Sequence, residues 1–175
     1  ETRLIERYGE GPDDYWFGSF VWNADQSDAV LTEGGLSDVN GTTHDVPAIE
    51  ECHACHDGVA GRALGLSALQ LAESIGNPAV RPADLAAGDR PSSPPPPAAH
   101  YAPPGDPTTS AAFGYLHANC GHCHNPAGYC AYPGMELRLK VSETVPELTA
   151  LFQTVVGREV MFPDIATERL APGPP

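Results

Sequence analysis

The sequence predicts a mainly irregular, loop-rich fold with short α-helices and a small N-terminal β-hairpin. Three observations lead there. Glycine contributes 18 and proline 19 of the 175 residues. Together that is about a fifth of the chain against roughly 12% in ordinary proteins, so turns are expected to dominate. An aromatic, β-rich stretch, Tyr15-Trp16-Phe17-Gly18-Ser19-Phe20-Val21-Trp22, stands near the N-terminus. The stretches with helical spacing are short and are bounded by proline or glycine.

In chain order, residues 1–50 read as strand and turn. Tyr15 to Trp22 is the first strand, Asn23-Ala24-Asp25-Gln26-Ser27-Asp28 is turn chemistry, and Ala29-Val30-Leu31 returns as the second strand. Asn23, Asp25 and Ser27 resemble the start of a calcium loop, but Asp28 stands where such a loop needs glycine, so a plain turn is expected. Pro47 sets an extended approach to a helix, and Asp57 to Gly61 is a loop. Leu64, Leu66, Leu69, Leu71 and Ile75 fall in a run expected to become helical near Ser67 and to stop at Gly76-Asn77-Pro78. Residues 88–107 hold Pro91, Pro94 to Pro97, Pro103, Pro104 and Pro107, which favour a stiff polyproline II connector and forbid a helix. Thr108-Thr109-Ser110 offers caps for a helix over Ala111 to Asn119. Phe113, Leu116 and Cys120 recur on it at three- and four-residue steps. Met135 to Leu139 alternates like a short strand, Glu147 to Val156 reads as a short helix after Pro146, and Ala171 to Pro175 is an extended tail. The connector divides the chain into residues 1–90, 91–107 and 108–175.

Each flanking part holds one copy of a five-residue pattern: Cys52-His53-Ala54-Cys55-His56 and Cys120-Gly121-His122-Cys123-His124. Cys-x-x-Cys-His is the attachment pattern of c-type haem. Two thiols separated by two residues can each form a thioether to one vinyl group of the same porphyrin. The next histidine then falls under the iron. Cys52, Cys55, Cys120 and Cys123 are therefore expected to hold two haem c groups, with His56 and His124 as proximal iron ligands. A redox dithiol, disulfides, or a zinc site built from the four cysteines are the alternatives. They leave the trailing histidine of both copies as a coincidence. Two porphyrins would also supply apolar core that so loop-rich a chain lacks.

A six-coordinate electron carrier needs a distal ligand at each iron. His44, His53, His100, His117 and His122 remain, and two of them would make both haems bis-histidine, with lower potentials than His-Met ligation. His100, between the proline run and Tyr101, ranks first. His44 is comparable, and suits the other haem or a neighbouring molecule's haem better than its own. His117 stands two helical turns before His124 on roughly the same face. It would reach another haem, or else bond a propionate or the backbone, which is the preferred reading. His53 and His122 lie inside the attachment loops as outer or solvent histidines. Met135 and Met161 are the only methionines. Cys130, the fifth cysteine, is expected to be a buried thiol.

Phe20-Val21-Trp22-Asn23, Val46-Pro47, the Cys52 motif, Leu64-Gly65-Leu66-Ser67 and Gln70-Leu71 resemble the N-terminal part of bacterial dihaem c-type cytochromes. Tyr115-Leu116-His117-Ala118-Asn119-Cys120 through Asn125-Pro126, then Gly134-Met135-Glu136-Leu137-Arg138, resemble a second segment of the same family. The likeness spans residues 15 to 140, roughly. It implies a cytochrome c-like dihaem fold and electron transfer rather than enzymatic catalysis, sometimes in a domain docked to a dehydrogenase. The chain departs from small cytochromes c at the distal methionine, for which only the weak Met161-Phe162-Pro163 is a candidate. A dihaem peroxidase is the enzymatic alternative, but no Glu or Gln is evidently placed as its acid–base group. A stiff connector, an extended tail and spare histidines would suit a homopolymer in which a histidine of one protomer ligates a haem of the next.

The formal net charge is −14, from 23 acidic and 9 basic residues, and haem propionates would add to it. Such a field argues against nucleic acid and anionic membranes and favours cationic partners or surfaces, with solubility alone as an equal reading of the same charge. No apolar run is long enough to span a bilayer. The first residue is Glu1 rather than methionine, which is read as a mature form after removal of a leader. Covalent haem attachment takes place outside the cytoplasmic membrane, so the expected location is periplasmic or extracellular.

Overall fold

The computed structural model describes residues 1–11, 13–59, 61–71, 101–132, 134–161 and 169. The chain forms two compact units. The first comprises Glu1–Ala63 with Ala127–Tyr129, and the second Leu64–Pro126 with Cys130–Pro175. Each carries one Cys-x-x-Cys-His copy. Among the described residues no helix is long and apolar enough to cross a membrane.

The first unit is built on an antiparallel sheet of β1 (Thr2–Arg7), β2 (Tyr15–Trp22) and β3 (Ala29–Leu31), in the order β1-β2-β3. The expected hairpin is β2-β3, in the register Phe20 to Leu31 and Trp22 to Ala29. The sequence does not announce the third strand. All six residues of β1 are exposed, so it carries no period-2 burial signal. Backbone pairing from Thr2–Phe20 to Arg7–Tyr15 holds it in place, and Trp22 Nε1–H donates to Thr2 Oγ1 at 2.9 Å. Between β2 and β3, Asn23 Oδ1 accepts from Ser27 N–H at 3.0 Å, and Asp25 Oδ1 accepts from the same N–H at 3.1 Å. The polar side chains thus close the turn on itself. After an isolated bridge between Leu36 and Val46, the chain enters α1 (Ile49–His56). Phe17 and Val46, each 2% exposed, are this unit's buried hydrophobic side chains among the described residues.

The second unit has a larger core: Leu69, Phe113, Leu137, Leu139, Leu151 and Val155 are buried together, with Tyr101, Leu116, Cys120, Met135 and Phe152 packed against them. Helix α2 spans Pro107–Asn119 and α3 spans Ala150–Val155. The sequence places the start of α2 at Ala111, four residues too late. Asp106 is the cap, its Oδ1 accepting from Thr108 N–H at 2.8 Å and Thr109 N–H at 3.3 Å. Pro107, the expected end of the connector, takes the first helical position, where its missing N–H costs nothing. The connector up to residue 100, the boundary near residue 90 and the tail lie outside the described residues. So does the helix expected after Ser67, except for its first turn, where Leu71 N–H donates to Ser67 O at 3.0 Å.

Two further expectations are corrected. The segment 135–139 alternates as expected, with Leu137 and Leu139 buried, yet it joins no sheet. Its N–H groups go to a side chain, a loop carbonyl and an imidazole: Glu136 to Thr154 Oγ1 at 3.0 Å, Leu137 to His124 O at 2.8 Å, and Leu139 to His117 Nδ1 at 3.0 Å. The helix expected over Glu147 to Val156 is interrupted at Thr149, which is extended at φ −68°, ψ 147°. A short 3-10 turn, Pro146–Leu148, precedes it. Thr149 Oγ1 accepts from Phe152 N–H at 3.0 Å and starts α3 as its cap.

Candidate functional site

The first motif lies wholly on α1. Cys52, Cys55 and His56 stand three and four residues apart, so one helix face presents both thiols and the imidazole. The helix has no side-chain N-cap. Instead Glu51 Oε2 accepts from Ala48 N–H at 2.8 Å. Glu50 and Glu51 in the first turn and His53 and His56 in the last suit the helix dipole. Phe17 of β2 seats this helix on the sheet. Its ring meets His53 edge-on at 4.8 Å between centroids and His56 at 5.4 Å.

His56 Nδ1 makes a short hydrogen bond to the Arg62 carbonyl. A carbonyl only accepts, so Nδ1 carries a proton, and in the neutral ring this leaves the lone pair on Nε2, the tautomer a metal-ligating imidazole needs. Arg62 reaches this position with φ at 58°, a left-handed backbone that typically costs a non-glycine residue about 1 kcal/mol or more. Ion pairs hold its guanidinium, to Asp57 at 2.7 Å and Asp13 at 2.9 Å. Arg62 carries no motif signal in the sequence, and sequence reasoning missed it. Burial raises the Cys52 thiol above its ordinary pKa, with Arg3 opposing.

The second motif begins where α2 ends. Cys120 caps that helix, its N–H donating to Leu116 O. Its own carbonyl then accepts from Cys123 N–H at 3.1 Å and His124 N–H at 2.9 Å. This folds the two cysteines and the histidine into one turn. Asn125, 5% exposed, ties the turn from below through Nδ2 to Gly121 O and His122 O, both at 2.9 Å. The 134–140 segment closes over it. A Cβ on Gly121 would stand 2.7 Å from His117 O and 3.0 Å from Leu137 O. Only glycine fits there.

His124 Nδ1 is buried and has no hydrogen-bond partner among the described residues. Burial lowers the pKa of this imidazole, and Arg169 and His122 lower it further, which favours the neutral ring that metals bind. Cys52, Cys55, Cys120, Cys123 and Cys130 are all half-buried, and none is joined in a disulfide. Reduced thiols in Cys-x-x-Cys spacing, a His124 ring whose pKa burial lowers and the Nδ1 proton of His56 all fit covalent haem attachment.

The remaining histidines are placed differently. His44 is at the surface, with Nε2 3.4 Å from Glu1 Oε1. His53 Nδ1 pairs with Asp57 Oδ1 at 3.0 Å, and His122 is half-buried. His117 is 6% exposed, with both ring nitrogens bonded: Leu139 N–H donates to Nδ1 and Nε2 lies 3.0 Å from Ser67 Oγ. His100 lies outside the described residues. Cys130 N–H donates to Cys123 O at 3.1 Å and its thiol is half-buried rather than fully enclosed. No family model, curated protein or solved structure matches this chain.

Proposed function

We propose that this chain transfers electrons through two covalently attached c-type haems, one at each Cys-x-x-Cys-His copy. The observation that carries the reading is the repeated pattern taken with the state of its histidines. His56 has its proton fixed on Nδ1 by the Arg62 carbonyl, and His124 is pushed toward the neutral ring. When bound, each haem supplies a one-electron Fe(III)/Fe(II) couple. The chain's own residues do the rest. Cys52 with Cys55, and Cys120 with Cys123, provide the thioether sulfurs. His56 and His124 present an uncharged imidazole nitrogen, and the Arg62 carbonyl raises the basicity of the first ring through its hydrogen bond. Phe17 on one motif, and Leu116 and Cys120 with the Leu137–Leu139 core on the other, limit water and so influence potential.

Haem of this kind is attached outside the cytoplasmic membrane, so the reading places the chain in the periplasm or beyond. A net charge of −14 favours redox partners with cationic docking faces. The test is the alkaline pyridine spectrum of the purified native protein with its haem-to-chain ratio. Two acid-stable haems per chain support the reading. A chain with zinc at the cysteines and no haem removes it.

A further inference from the structure

His117 lies on α2 one turn ahead of Cys120, and its hydrogen bonds form a complete donor–acceptor sequence. Leu139 N–H donates to Nδ1 at 3.0 Å, so Nδ1 carries no proton and Nε2 does. Nε2 stands 3.0 Å from Ser67 Oγ, and the Ser67 hydroxyl donates onward to Gln70 Oε1 at 2.9 Å. The ring is therefore neutral. An iron ligand needs an unshared imidazole lone pair, and that of His117 is already given to Leu139.

We infer that His117 is the positioning residue of the second motif: it fixes the register of the 134–140 strap, and through the strap it fixes the Cys120–His124 turn. The strap touches the motif at Leu137, whose N–H donates to His124 O at 2.8 Å and whose carbonyl lies against Gly121. Two residues on, His117 holds Leu139. A slip of one residue would turn Leu137 and Leu139, 3% and 4% exposed, outward and carry Glu136 and Arg138 into the core. Leu139 N–H would then be buried without its acceptor, which is the costly state for a backbone donor. On its other side the ring ties the Ser67–Leu71 turn, which delivers Leu69 to the same core. The consequence at the iron rests on the haem reading above; the brace itself is a property of this chain's own residues.

The test compares His117→Leu and His117→Asn in the full-length native protein, reading amide hydrogen exchange at Leu137 and Leu139 together with the haem spectra. Leucine fills the space but accepts no hydrogen bond. The Asn oxygen falls near the place of Nδ1 and accepts from Leu139. The expected result is loss of protection at both amides in His117→Leu and recovery in His117→Asn. Both haems stay low-spin without a new carbon monoxide site, and the midpoint of only one haem shifts. Undiminished protection in His117→Leu, or the appearance of a high-spin haem that binds carbon monoxide, overturns the inference; the latter would make His117 a ligand. If His117→Leu does not accumulate, Ser67→Ala is read instead. Faster exchange at Leu139 is expected, and unchanged exchange overturns the inference. A native protein without haem would end the haem reading, while the same amide exchange still decides the brace.

Discussion

In the first motif all five residues lie on a helix; in the second the helix ends at the first cysteine and a turn supplies the rest. The two copies differ most in the residue after the first cysteine. In the first copy it is His53, with its side chain 44% exposed and paired to Asp57. In the second it is Gly121, with backbone 2.7 Å from where a Cβ would stand. The helical motif leaves its middle residues half-buried and relies on what packs behind the helix, here chiefly Phe17. A motif in a turn must be covered, and its cover dictates the residue beneath. The same five-residue pattern is thus held once by a small sheet and once by a strap over a larger core.

The largest effects should come from the two cores. Phe17→Ala removes the ring that seats α1, and about 3–5 kcal/mol is expected. Because Phe17 and Val46 are that unit's buried hydrophobic side chains among the described residues, its loss should melt the first unit ahead of the second in a thermal scan. Leu151→Ala, at a fully enclosed site, should cost about 2–5 kcal/mol and reverse that order. Equal melting of both units in both variants would erase the contrast. Next comes Gly121→Ala, which meets backbone on two sides and is expected to cost about 1–3 kcal/mol. His53→Ala at the matching position should cost at most about 1 kcal/mol, as for an exposed ion pair. Denaturant midpoints measure both.

Helix caps give smaller shifts of opposite sign. Asp106→Ala removes the α2 cap and should lower stability by about 1 kcal/mol. Ala48→Ser supplies α1 with a cap it lacks, completing a capping box with Glu51, and should raise stability by up to about 1 kcal/mol. Circular dichroism melts read both. The gentlest perturbation is pH. Burial, with Arg138, holds the His117 pKa below 6.5 in the folded state. The unfolded chain therefore binds the proton more readily, and stability is full above pH 6.5 and declines as pH falls below it. His117→Asn should flatten that decline.

Legibility in the sequence tracks how local each signal is. The β2-β3 hairpin, the helix into Cys120 and the alternating burial of Leu137 and Leu139 all rest on patterns within a few residues, and the structure has them. The strand β1 is invisible in the sequence because all its residues are exposed, so pairing rather than burial makes it a strand. The start of α2 is misplaced because Asp106 sits among prolines and glycine, where a cap resembles a loop. Residues Met135 to Leu139 have the pattern of a strand, but nothing local says that their partners would be an imidazole and a carbonyl of the motif turn. The motif cysteines and histidines are readable from spacing alone. The Arg62 carbonyl on His56, six residues away, and Ser67 on His117, fifty away, are not, because those contacts depend on the fold.

The measurement that bears most directly on the central claim is the intact mass of the native protein beside that of a variant with Cys52→Ala and Cys55→Ala. The account predicts two haem additions on the native chain and one on the variant, the survivor mapping to the peptide with Cys120 and Cys123. A native mass equal to the bare chain, or a variant that keeps both additions, would contradict it.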